Sequence, residues 1–142
     1  MQIRFADSRP TGDYVLVLAV AGKDRTSLGS LGGAQQGVVA ALDRQRFEGD
    51  AAAASEHFID ENGSVRRLLV IGVGAQNGDQ AAEKLGGTAV ARLLTSGEKR
   101  VVIDLSGANY DADKAALVGF AAALRAWRHD RYRTKQIGRA HV

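Results

Sequence analysis

The 142-residue sequence contains no cysteine. Disulfides, thiolate zinc sites and cysteine nucleophiles are thereby excluded, and the composition is compatible with a reducing compartment. Proline occurs once, at Pro10, inside the turn signal Pro10-Thr11-Gly12-Asp13. Long apolar runs are missing as well. The longest uncharged apolar stretch is Tyr14 to Gly22, far short of the ~20 residues that a membrane-spanning helix needs. Asp7, Arg9 and Asp13 precede it, so it does not read as a signal peptide. Internal repeats are absent.

What remains is an ordinary globular composition, 45% hydrophobic and 25% charged. The length fits one domain that buries roughly 70% of its unfolded surface. The formal net charge of +3 is unevenly spread. Residues 1 to 124 carry a net −2, and residues 125 to 142 carry +5. The basic residues at that end are Arg125, Arg128, Arg131, Arg133, Lys135 and Arg139, against Asp130.

The hydrophobic pattern predicts alternating strands and helices. Gln2 to Ala6 alternates in polarity and suits a half-buried first strand. Tyr14 to Val20 is a β-branched and leucine run fit for a strand buried on both faces. Gly32 to Leu42 reads as a short helix. Ser55 to Asp60 and Arg66 to Val73 read as strands joined through Asn62-Gly63, a pair that accepts the positive φ values of a tight hairpin. Asp79 is a candidate N-cap for a helix with Ala82, Leu85, Ala89 and Leu93 on its apolar stripe. Gly86-Gly87 within it is read as a close backbone contact with the sheet. Gly97 ends that helix, and Arg100 to Leu105 is expected as another buried strand. Asp111 is expected to cap a long helix reaching about His129, with Leu117, Phe120, Leu124 and Trp127 on its inner face. This order predicts an α/β sandwich, helices on both faces of one mixed sheet. The antiparallel hairpin argues against a plain Rossmann domain.

Several motifs touch on chemistry without completing it. Val70-Ile71-Gly72-Val73-Gly74 begins like a dinucleotide fingerprint, but Asn77 stands where the third glycine belongs and Gly78 comes one residue late. The preferred reading is a simple turn at a strand end. Gly29 to Gly33 reads as a flexible loop ahead of a helix. His57, His129 and His141 have no partner at a ligand spacing such as H-E-x-x-H. Ser106 lacks a nucleophile-elbow glycine pattern. Asp60-Glu61 and Asp111/Asp113 sit at a turn and a helix start, where carboxylates serve structure. The basic run with Trp127 and Tyr132 could meet phosphates and bases, but cations are also favoured at a helix C-terminus. Catalytic, cofactor-binding and metal-binding residues are therefore all expected to be none.

One resemblance covers residues 1 to 135. The run Ala123-Leu124-Arg125-Ala126-Trp127-Arg128-His129-Asp130-Arg131-Tyr132-Arg133-Thr134-Lys135 resembles the segment closing the N-terminal domain of the leucyl aminopeptidase, or cytosol aminopeptidase, family. Leu31-Gly32-Gly33, the strand Arg67 to Gly74 and the helix residues Lys84, Leu85, Gly86 and Ala89 are similar to their counterparts there. The resemblance implies a macro-like three-layer α/β domain without an active site. It implies a longer cytoplasmic parent, a metalloaminopeptidase that removes N-terminal residues from peptides. That parent would carry two divalent metals (zinc, manganese or magnesium) in a C-terminal catalytic domain and assemble as a hexamer. The family's "N-T-D-A-E-G-R" motif does not occur here, so none of its catalytic or metal-binding residues carries over. The 142-residue chain is expected to be inactive and to serve assembly or interdomain support. Residues 136 to 142, Gln136 to Val142, have no family counterpart. The codons CAG ATC GGA AGA GCA CAC GTC would encode them and resemble a DNA sequencing adapter, which predicts a translated adapter on an interrupted frame. Two rival readings are a macro-like module binding a nucleotide or ADP-ribose on Gly72 and Gly74, and nucleic-acid binding through Arg125 to Lys135. No membrane partner is expected.

Overall fold

The structure, a computed structural model, describes residues 9–140 apart from 95, 99 and 109, with the backbone alone for 129–140. The strand expected over Gln2–Ala6 lies outside the described residues.

Four strands form one mixed sheet in the order β2-β3-β1-β4. β1 (Val15–Val20) pairs in parallel with β3 (Ser64–Gly72) on one side and β4 (Val101–Asp104) on the other. β2 (Ala54–Glu61) runs antiparallel to β3. Asn62 and Gly63 take φ values of 52° and 88° at the hairpin between them, as the Asn-Gly pair predicts. Every residue of β1 is buried. Its side chains alternate, so each face of the sheet receives its own core. Val15, Val17 and Ala19 join Leu69 and Ile71 beneath α2 (Asp79–Leu94). Leu16, Leu18 and Val20 join Leu68 and Val70 beneath α1 (Gln35–Arg44). The result is the expected three-layer α/β sandwich with a mixed sheet.

The structure departs from the sequence expectations in several places, each with a physical reason. The helix expected over Gly32–Leu42 is split. A 3-10 segment, Thr26–Ala34, comes first, and Gly32 breaks it with φ 59° and ψ −125° before α1 starts at Gln35. The segment reaches back to Thr26 because Leu28 and Leu31 anchor it in the core. Asp79 is the first helical residue of α2 rather than its N-cap, since the Gly78 carbonyl already accepts from the Ala82 amide at 3.1 Å. β4 is half-buried, not buried, because it is one of the two edge strands among the described residues.

α3 (Ala112–Ala140) departs most. Asp111 caps it as expected, its Oδ1 accepting from the Lys114 amide at 2.8 Å. The backbone stays helical past His129 to Ala140. Of the expected inner face Leu117, Phe120, Leu124 and Trp127, Leu117 packs half-buried against the core, but Phe120 and Trp127 do not. The buried positions are Val118, Ala122 and Ala126, at spacings of four, while Phe120 is 68% and Trp127 55% exposed. The cause lies in α2. A Cβ on Gly86 would stand 2.1 Å from the Val118 carbonyl oxygen, so the two helix backbones touch there. At that separation only small side chains fit between the helices, and Phe120 and Trp127 turn outward. The contact expected between Gly86 and the sheet is therefore a contact with α3, and Gly87 faces open space.

Candidate functional site

The glycine turn after β3 is closed to ligands. The Gly72 amide donates to the Ala53 carbonyl at 2.8 Å, the Val73 amide to Val20 at 2.9 Å and the Gly74 amide to Gly49 at 2.9 Å. A Cβ on Gly72 would lie 2.2 Å from the Asp50 carbonyl oxygen. These glycines let the segment 49–53 press onto the end of the sheet, and their amides have no capacity left to cradle a phosphate. Substituting Gly72 would strain the fold before it tested any ligand.

A crevice opens one step further along the chain. Parallel sheets bind ligands beyond the carboxyl ends of strands whose connections leave to opposite faces. After β1 the chain turns towards the 3-10 segment and α1. After β3 and β4 it turns towards α2 and α3 on the other face. The central strand β1 is therefore flanked by connections that diverge. A cleft of about 260 Å3 lies at this point, lined by Ala19 of β1, Ala21, Asp24 and Ser27 beyond it, Val73, Ala75, Gln76 and Asn77 after β3, Gly107 and Ala108 after β4, and Lys114 on α3.

Asn77 organises one wall. Its backbone takes the left-handed φ of 49°, which asparagine tolerates better than most residues. Its Oδ1 accepts from the Tyr110 hydroxyl at 2.7 Å, and its carbonyl accepts from Lys114 Nζ at 2.6 Å. The residue that interrupts the dinucleotide pattern thus ties the turn to α3. Burial pushes the Tyr110 hydroxyl above its ordinary pKa. On the other wall, Asp24 Oδ1 accepts from both the Thr26 hydroxyl and the Thr26 amide. Those two bonds, the hydroxyl's first, hold the exposed Asp24 carboxyl below its ordinary range. Ser27 Oγ donates to the Ala19 carbonyl, and a Cβ on Gly107 would lie 2.8 Å from Ser27 Cα. Glycine at 107 therefore permits the loop after β4 to close the floor of the crevice.

The other singled-out residues stand apart from this crevice. His57 Nε2 lies 2.8 Å from Ser55 Oγ, and Ser55 Oγ donates to Gln45 Oε1 at 2.6 Å. The serine hydrogen is spent on Gln45, so His57 donates to the serine and cannot serve as its base. Burial lowers the His57 pKa, only partly offset by Glu56. Ser106 Oγ and its amide both donate to Asp104 Oδ1, a local turn. Asp60 Oδ1 accepts from the Gly63 amide at 3.0 Å, the structural role expected at the hairpin. Gly29 to Gly33 belongs to the 3-10 segment rather than a free loop. Arg125 and Arg128 are exposed on α3. The side chains of His129, Arg131, Tyr132, Arg133 and Lys135, and all of His141, lie outside the described residues. Among the described residues no group of three or more His, Asp or Glu could hold a metal ion, and no helix is long and apolar enough to cross a membrane.

Sequence reasoning overlooked Asp24, Ser27 and Lys114. The signal was available in principle, since residues directly after parallel strands are the ones a crevice recruits. Lys114 is the exception. It lies on a helix, and only the packing of α3 brings it there.

The class is thus a three-layer α/β domain with a crevice at the carboxyl ends of its parallel strands. The model of the cytosol aminopeptidase family, N-terminal domain, matches residues 17–136. The chain belongs to this family, as its N-terminal domain. It is 35% identical over 109 residues to a "Probable cytosol aminopeptidase" of Xanthobacter autotrophicus, covering 75% of this chain and 22% of that one. A protein of the same description from Rhodopseudomonas palustris is 37% identical over 111 residues, with 75% and 22% covered. Another from Rhizobium leguminosarum is 32% identical over 143 residues, with 95% and 28% covered. The chain spans about a quarter of the length of these relatives.

Proposed function

We propose that this chain is the accessory, macro-like domain of a metal-dependent aminopeptidase whose catalytic residues lie outside it. The observation that carries the reading is the family match over residues 17–136 set against relatives about four times longer. The structure adds support from α3. Its small-residue face is used up on α2, while Phe120 and Trp127, 68% and 55% exposed, turn away from the core. A further domain or subunit would gain by covering that apolar edge, since each fully buried large side chain contributes about 1.5–3 kcal/mol. The parent would work in the cytoplasm, use two divalent metals and assemble as a hexamer. The described residues do not fit such metals, for they offer no cluster of His, Asp or Glu. The metal site of the parent is therefore assigned to the remainder of the longer protein.

The test is an assay of the purified 142-residue chain with an aminoacyl chromogenic substrate and added manganese. No turnover above the uncatalysed rate is expected. Robust turnover by this chain would overturn the reading.

A further inference from the structure

The chain contains three asparagines, and two of them precede glycine, in Asn62-Gly63 and Asn77-Gly78. Asparagine before glycine is open to a reaction of its own. The following backbone nitrogen can attack the side-chain carbonyl carbon, since glycine has no Cβ to crowd the approach. A C–N bond forms and closes a succinimide ring. The bond to Nδ2 breaks, and that nitrogen leaves as ammonia with the proton that the backbone amide gives up. Water then opens the ring at either carbonyl and leaves aspartate or isoaspartate. The net change is hydrolysis of an amide.

The two pairs share a left-handed backbone, with φ 52° at Asn62 and 49° at Asn77. Their surroundings are opposite. Both ends of the Asn77 side-chain amide are held: Oδ1 accepts from the Tyr110 hydroxyl at 2.7 Å, and Nδ2 donates to the Ala108 carbonyl at 3.5 Å. Its main-chain carbonyl accepts from Lys114 Nζ at 2.6 Å. The Gly78 carbonyl accepts from the Ala82 amide, which fixes the attacking residue to the start of α2. Ring closure at Asn77 must swing the side chain off Tyr110 and Ala108 and turn the peptide off Lys114. Asn62 instead stands exposed at the tip of the β2–β3 hairpin. Among the described residues no hydrogen bond holds its side chain. Gly63 is exposed too, and a Cβ there would meet nothing within 4 Å. The Gly63 amide donates to Asp60 Oδ1 at 3.0 Å, a bond that engages the hydrogen to be shed and not the Asn62 side chain. Exposed turn bonds of this kind open at the low end of local stability.

We propose that Asn62 is a site of spontaneous deamidation and that the fold shields Asn77 from the same reaction. Conversion places a further carboxylate beside Asp60 and Glu61, and the isoaspartate form lengthens the main chain at the turn that sets the β2–β3 register.

The experiment ages the purified 142-residue chain in warm, mildly alkaline buffer made with heavy-oxygen water. Trypsin then separates the two sites on peptides 47–66 and 68–84, and mass spectrometry follows heavy-oxygen uptake in each. Conversion at Asn62 is expected to run at least about tenfold faster than at Asn77. In urea, where the fold no longer holds Asn77, the two rates are expected to converge. Tyr110→Phe removes the bond to Asn77 Oδ1, and is expected to speed conversion at Asn77 while Asn62 keeps its rate. If that variant fails to fold, the comparison of the unaltered chain with and without urea decides the matter. The proposal is overturned if Asn62 stays unconverted, if Asn77 keeps pace with it in the folded chain, if a folded Tyr110→Phe chain converts Asn77 no faster, or if the gap survives in urea.

Discussion

Asp104 closes β4 and joins it to the start of the described chain. Arg9 Nε donates to its Oδ2 at 2.7 Å, and both side chains are mostly covered. Burial pushes the Asp104 carboxyl up, but the bonds from Ser106 and Arg9 together outweigh it, and the net shift is downward. A carboxylate whose folded pKa is depressed contributes stability above its unfolded value. That stability is lost as pH falls through the folded pKa. Asp104→Asn is therefore expected to cost about 1 kcal/mol at neutral pH, the net worth of a charge-assisted bond at a partly covered site. The difference from the unaltered chain should shrink once the pH drops below the ordinary carboxylate value of 3.8. Urea unfolding at neutral and at acid pH measures both parts, and an undiminished difference in acid would contradict the assignment. His57 runs in the same sense, since its pKa is lowered by burial. The neutral ring is the folded form, so its contribution is present above the ordinary 6.5 and fades as the pH falls below that value.

Among the elements, the α2–α3 pair turns on one glycine. Gly86 and Gly87 are adjacent, and helix propensity alone assigns each a cost near 1 kcal/mol relative to alanine. Their surroundings differ completely. A methyl group at Gly86 would collide with the Val118 backbone, whereas one at Gly87 meets nothing within 4 Å. Gly86→Ala is expected to destabilise the chain by roughly 1–3 kcal/mol, the usual cost of overpacking. Gly87→Ala is expected to stabilise it by about 0.5–1 kcal/mol through helix propensity. Thermal unfolding of the two variants side by side checks the opposite signs. The same contact explains why the apolar spacing that places Phe120 and Trp127 on the inner face misleads. Periodicity reports that a helix is amphipathic, not which stripe meets its neighbour. A backbone-to-backbone approach selects Val118, Ala122 and Ala126 instead.

For the whole molecule, the net charge of +3 is uneven, with −2 over residues 1 to 124 and the excess on the last helix and beyond. The α/β class, the strand pair at Asn62-Gly63, the buried run of β1 and the Asp111 cap were all legible in the amino-acid sequence. Each depends on local pattern, a period of two, a positive-φ pair or a capping side chain. The crevice and the face of α3 were not. They depend on which strands become neighbours, which way each connection turns and how closely two helix backbones approach. Those are long-range choices made by packing, and only there do Asp24, Asn77 and Lys114 come to line one space.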